Sequence, residues 1–111
     1  MELFSSLFVG HLVGDFLLQT TWMAEKKDEV WLPLIIHCFL YTAAVALFAL
    51  LAGGLSILPI LVIFISHIII DKSKTVDLWA KYITRSTETT WLRIIQDQVW
   101  HLLILVFVTL L

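Results

Sequence analysis

The chain contains four histidines, His11, His37, His67 and His101, and each falls inside a strongly apolar stretch. Three of them have an aspartate four residues away: His11 with Asp15, His67 with Asp71 and, in reverse order, His101 with Asp97. Four residues of α-helix turn through about 400°, so each pair shares one helix face, one turn apart. His37 has Tyr41 at the same spacing, and Gln19 extends the first pair by a further turn. Imidazoles and carboxylates together make a donor set for a divalent metal ion. Zinc is the first choice, and iron or manganese accept the same donors. A bound metal lowers the pKa of its water to about 7, and a nearby carboxylate can then act as general base, which is the chemistry of metal-assisted hydrolysis. The candidate ligands are His11, His37, His67, His101, Asp15, Asp71 and Asp97, with one of Asp15, Asp71 or Asp97 as the base. Seven donors are enough for two ions. An aspartate can also act from behind, fixing an imidazole that itself holds the ion; Gln19, Gln98 and Tyr41 are expected in such supporting positions. A single histidine of this kind reads more readily as a hydrogen bond between helices. The site reading rests on the whole set.

These residues need elements to position them. The chain has 111 residues, 60% of them hydrophobic and 14% charged, with a mean hydropathy of +0.98. An ordinary soluble domain carries about 25% charged residues, so that class is excluded. A formal charge of −2 excludes nucleic-acid binding by net field. The single cysteine, Cys38, excludes a disulfide framework and reads as a small buried hydrophobe, with a ligand role as the alternative. Four apolar stretches cover residues 3–22, 31–52, 55–70 and 91–111. A membrane helix needs about 20 mainly apolar residues, so all four are candidate spans, the third the shortest. The first does not read as a cleaved signal peptide, because Glu2 stands where a basic start is expected and His11 and Asp15 interrupt it. The expected fold is all-α: one polytopic domain over residues 1–111, with four transmembrane helices. A short amphipathic helix on the membrane surface is expected between the third and fourth, from Val76, Trp79, Ala80 and Ile83 at i, i+3, i+4 and i+7.

The connections orient this bundle. Gly53-Gly54 makes a tight turn without charge, so the second and third helices are antiparallel neighbours. All seven basic residues, Lys26, Lys27, Lys72, Lys74, Lys81, Arg85 and Arg93, lie in or beside the other two connections. Basic residues in short loops mark the cytoplasmic side, so both termini are expected outside, with Trp22, Trp31, Trp79 and Trp91 near the cytoplasmic interface. Lys74 is expected at that interface. Measured from the cytoplasmic ends at about 1.5 Å per residue, most of the polar groups fall in one layer roughly 6–14 Å deep, and His11 lies roughly 20 Å deep. In that layer the aspartate is the member of each pair nearer the cytoplasm. Ionisable side chains in lipid are costly, about 2.5–3.5 kcal/mol for an aspartate at a helix centre, so they must face one another, water or an ion. Gly10 and Gly14 form a GxxxG pattern, which allows close helix approach beside the first His-Asp pair.

The run GHLVGDFLLQ over residues 10–19, then Lys26 or Lys27, His37, His67 to Asp71 with Lys74, and finally Asp97-Gln98-Val99-Trp100-His101, resembles a bacterial and phage family of small membrane proteins, the domain-of-unknown-function 3307 family. The resemblance covers nearly the whole chain and implies a multi-pass protein of the bacterial inner membrane. It is carried by His11, Asp15, Gln19, His37, His67, Asp71, Asp97, Gln98 and His101. The HxxxD element is also similar to one in membrane-bound metal-dependent hydrolases, by analogy alone. The first expectation for function is a metal-dependent hydrolase acting on a lipid or a membrane-associated substrate. The alternatives are a carrier or channel for metal ions or protons, a non-catalytic partner subunit, and a bis-histidine haem protein. Membrane lipids are the expected partners, nucleic acid is not, and a homo-oligomer is compatible with so thin a scaffold.

Overall fold

The computed structural model describes residues 1–72 and 75–111. Lys74, expected at the interface, lies outside the described residues. Helices make up all the regular structure among the described residues. They are α1 (Leu3–Leu12), continued by a π-helical turn (Val13–Leu17), α2 (Thr21–Lys26), α3 (Trp31–Ala49), extended by a 3₁₀ turn (Leu50–Ala52), α4 (Ile57–Lys72), α5 (Thr75–Tyr82) and α6 (Thr90–Thr109).

The first apolar stretch is not one helix. Its backbone widens into the π turn, where the Leu18 amide bonds to the Val13 carbonyl at 3.1 Å, and the regular helix ends there. Thr20 then adopts an extended backbone, and its Oγ1 accepts from the Met23 amide at 3.3 Å, which starts α2 as a separate helix. The reason is local: a threonine hydroxyl offers the backbone an alternative to the helix ladder and serves well as an N-cap. Hydrophobicity alone carried no sign of this break. By length and composition, two helices can cross a membrane: Trp31–Ala52, including its 3₁₀ turn, and Thr90–Thr109. Leu3–Leu17 is apolar but shorter, and α4 has 16 residues.

The helices α1 and α3 approach closely because Gly10 and Gly14 present no side chain. A Cβ at Gly10 would lie 2.7 Å from Val45 Cα, and one at Gly14 would lie 2.9 Å from Tyr41 Cα. The expected turn between α3 and α4 is present. Gly53 and Gly54 have φ of +102° and +87°, and the Gly54 amide bonds to the Ala49 carbonyl at 2.8 Å. Positive φ costs glycine nothing and other residues about 1 kcal/mol or more, so the turn follows from the sequence. The helix α5 buries Val76 and Ala80, and its Trp79 ring meets Trp100 of α6 edge-on at 5.4 Å. Of the four residues expected on its apolar stripe, Val76 and Ala80 are buried, Trp79 is 39% exposed, and Ile83 follows the helix and is exposed.

Candidate metal centre

On its inward face each of the four longer helices runs from polar to apolar in steps of four residues. On α1 and its π turn the order is Asp15, His11, Leu7. On α4 it is Asp71, His67, Ile63, and on α6 it is Asp97, His101, Leu105. Along α3 it is His37, Tyr41, Val45. All of these except Asp97 are buried. Steps of four residues stack side chains on one face, so the bundle forms three layers. Carboxylates lie toward Lys27 and Lys72, imidazoles lie beneath them, and an apolar plug of Leu7, Val45, Ile63 and Leu105 closes the other side.

Four donor atoms converge in the upper two layers. His37 Nε2 lies 3.0 Å from His67 Nε2, 3.2 Å from Asp15 Oδ1 and 3.5 Å from Asp71 Oδ2. His67 Nε2 lies 2.9 Å from Asp71 Oδ2 and 3.7 Å from Asp15 Oδ1. A tetrahedral ion with bonds of about 2.0–2.1 Å separates its donors by roughly 3.3 Å. The five separations that involve an imidazole scatter around that value. Two neutral imidazoles cannot satisfy both carboxylates and each other, and Asp15 Oδ1 and Asp71 Oδ2 are buried without a hydrogen-bond partner. Asp71 Oδ2 meets the Lys27 ammonium at 3.3 Å, whereas Asp15 Oδ1 faces only imidazoles, and a buried acceptor in that state suits a bound cation. Cys38, His67 and Asp71 also bring three donor atoms within 4.8 Å of one another.

The carboxylates reach these imidazoles mostly from other helices. Asp15, expected beside His11, lies 3.8 Å from it and closer to His37 and His67. His67 and Asp71 do pair directly within α4. Asp97 meets His101 through its backbone, whose carbonyl accepts from His101 Nδ1 at 2.7 Å, while the carboxylate stays 3.7 Å away.

His11 stands apart from the four converging donors. Its Nε2 donates to Gln98 Oε1 at 2.7 Å, and its Nδ1 accepts from the Tyr41 hydroxyl at 2.8 Å. Both nitrogens are spent, which leaves none to face an ion. Gln98 in turn donates through Nε2 to Asp15 Oδ2 at 3.3 Å and to Asp97 Oδ2 at 3.4 Å. Tyr41, His11 and Gln98 thus form a chain that holds Asp15 from behind. Gln19 does not reach the donors. It donates to the Asp15 carbonyl at 3.2 Å and accepts from Lys27 Nζ at 2.9 Å.

In the sequence Lys27 stands out by its charge and by its place in the run between Gln19 and His37, and it is not among the candidate ligands. Its ammonium lies 3.3 Å from Asp71 Oδ2, at the top of the cluster. No periodicity could have placed it there, because it lies in a connection; its place in the run between Gln19 and His37 was the only signal. Above it opens a cleft of about 510 Å³, whose walls include Lys27, Asp71, Lys72, Arg93 and Asp97. Asp97, 23% exposed, is the least buried of the three candidate carboxylates.

No curated protein and no solved structure matches the chain. One family model, described as protein of unknown function DUF3307, matches residues 3–111, and the chain therefore belongs to that family.

Proposed function

We propose that this protein is a membrane-embedded metal-dependent hydrolase acting on a lipid or membrane-associated substrate. The observation that carries the reading is that His37 Nε2 and His67 Nε2 lie 3.0 Å apart with Asp15 Oδ1 and Asp71 Oδ2 each within 3.7 Å of both, and that Asp15, His37 and His67 bring three donor atoms within 4.8 Å of one another. Zinc fits these donors best, and iron or manganese fit them too. When bound, the ion supplies Lewis acidity and a water of lowered pKa. The chain's own residues do the rest. Tyr41, His11 and Gln98 fix Asp15. Asp71 joins the sealed donors to the cleft, where substrate and water enter. Of the three candidate carboxylates, Asp71 and Asp97 line the cleft and would be the ones placed to take a proton, while Asp15 is buried behind imidazoles. A carrier would need a second opening. Leu7, Val45, Ile63 and Leu105 fill the far side, which favours an enzyme over a channel.

The membrane setting follows from the distribution of polarity. The four histidines, Asp15 and Asp71 are buried, while Phe39, Leu47, Ile57, Ile69, Leu103 and Phe107 are exposed on the outer faces. Such a surface suits lipid and not water. In this reading α1 with its π turn, α3, α4 and α6 all span. The 16 residues of α4 reach roughly 24 Å, enough where Lys72 sits at the interface. The carboxylate layer then lies toward the cytoplasm, beneath the basic connections, in a bacterial inner membrane. A cysteine placed at Lys81 is expected to react with an impermeant maleimide only from the cytoplasmic side, and one at Glu2 only from outside. Labelling of the Glu2 position from the cytoplasm alone would overturn this orientation.

The metal reading is tested by elemental analysis of detergent-purified protein. The parent is expected to retain a divalent metal through desalting. His67→Ala is expected to lose it while eluting as the same monodisperse species. The loss of even a supporting partner lowers metal affinity about 10–100-fold, and a ligand at least as much. A metal-free parent, or unchanged content in His67→Ala, would overturn the enzyme reading and leave the cluster as packing between helices.

A further inference from the structure

Asp71 has a second face. Its Oδ2 belongs to the four converging donors, but its Oδ1 points the other way, to His101 Nε2 at 3.4 Å. His101 spends its Nδ1 proton on the Asp97 carbonyl at 2.7 Å. That bond fixes the tautomer, so in the neutral ring the lone pair is on Nε2. It faces a carboxylate oxygen, which also carries lone pairs. His101 is 3% exposed and its Nε2 is buried without a hydrogen-bond partner. Two acceptors aimed at each other in a dry site repel unless a proton or a cation sits between them. Asp97 completes the set: one donor atom from each of Asp71, Asp97 and His101 lies within 4.8 Å of the other two.

We propose that His101, Asp97 and Asp71 hold a second divalent cation, with Asp71 bridging it to the ion of the four-donor cluster. This rests on the metal reading above. The two positions differ in a way that assigns them different work. The first is enclosed by four protein donors, and His37, His67 and Asp15 are sealed from the cleft. The second has three protein donors, two of which, Asp71 and Asp97, form the cleft wall. Closed metal sites are structural, and open ones keep a position for water or substrate. The position at His101 is therefore the more open of the two to water and substrate. A carboxylate bridge sets two ions about 3.5–4 Å apart, the spacing at which both share one substrate group. The nitrogen and oxygen donors and the absence of sulfur at this position suit manganese or zinc.

Manganese serves as the probe, because two ions at this distance couple magnetically. Purified full-length protein in detergent is loaded with Mn²⁺, desalted, and examined by elemental analysis and electron paramagnetic resonance. The expected result is two ions per chain and a coupled multiline signal. His101→Gln is expected to bind one ion, without coupling. Asp97→Asn, at the partly exposed wall, gives the same reading should the buried variant fail to fold. A parent that binds one uncoupled ion, unchanged in Asp97→Asn, overturns the second site and leaves the first intact; in that case a protonated His101 pairs with Asp71. A parent that binds no metal overturns both.

Discussion

Replacing Asp71 by Asn is expected to strip the protein of bound metal more completely than any other single change. The side chain lies 2.9 Å from His67 Nε2, 3.5 Å from His37 Nε2, 3.4 Å from His101 Nε2 and 3.3 Å from Lys27 Nζ. Asparagine keeps the volume and one oxygen but removes the charge that holds three imidazoles and an ammonium together. A lost ligand lowers metal affinity by at least the roughly 10–100-fold seen for supporting partners, and Asp71 serves both proposed positions. Competition between the protein and a chelator of known zinc affinity measures this directly. Asp28→Asn is the matched control, since Asp28 lines the same cleft, is exposed and belongs to no donor group. If Asp71→Asn binds zinc as the parent does while Asp28→Asn also does, Asp71 is no ligand and the centre is wrongly drawn.

The second large effect is mechanical. Gly10→Ala and Gly14→Ala are each expected to lower the thermal midpoint in detergent, at a cost of about 1–3 kcal/mol, the range for an added methyl in a packed core. At Gly10 the new Cβ would meet Val45 Cα at 2.7 Å and Ala44 O at 3.1 Å, which are backbone atoms that cannot swing aside. At Gly14 it would meet Tyr41 Cα and Cδ2, both at 2.9 Å. The two variants separate stability from the site. Gly14 precedes Asp15 in the π turn and presses on Tyr41, which bonds His11, so Gly14→Ala is also expected to weaken metal binding. Gly10 packs a turn nearer the apolar plug, and Gly10→Ala is expected to lose stability with little change in affinity. Unaltered midpoints for both would mean that α1 and α3 do not approach as closely as described.

The π turn explains why Asp15 reaches His37 and His67. A regular helix would keep it one turn above His11 and aligned with it. The wider turn instead displaces the residues that follow, and π turns recur where a helix carries a functional side chain. Lys27 reaches the same place by another local device. The first helical segment ends with the π turn, the Thr20 cap starts α2, and Lys27 at its end lies over Asp71 with Gln19 as its second partner.

Much of this protein was fixed by sequence alone. Helical content, the Gly53-Gly54 turn and the alignment of Asp71 with His67 follow from periodicity, residue chemistry and short-range spacing. These are properties that a helix expresses within four residues of itself. The gathering of the polar residues on inward faces also follows, because an ionisable group in an apolar setting must find partners. Tertiary structure decided which imidazole meets which carboxylate. Asp15 turns to His37 and His67 and not to its own helical neighbour, because helix–helix distance and the π turn set that geometry, and neither is encoded in spacing along one helix. The same holds for His11, whose two nitrogens are consumed by Tyr41 and Gln98, 30 and 87 residues away. It holds for Lys27, whose role depends on where a connection folds back. A sequence states which groups must find partners in a dry interior; only packing in three dimensions determines which partner lies within three ångströms.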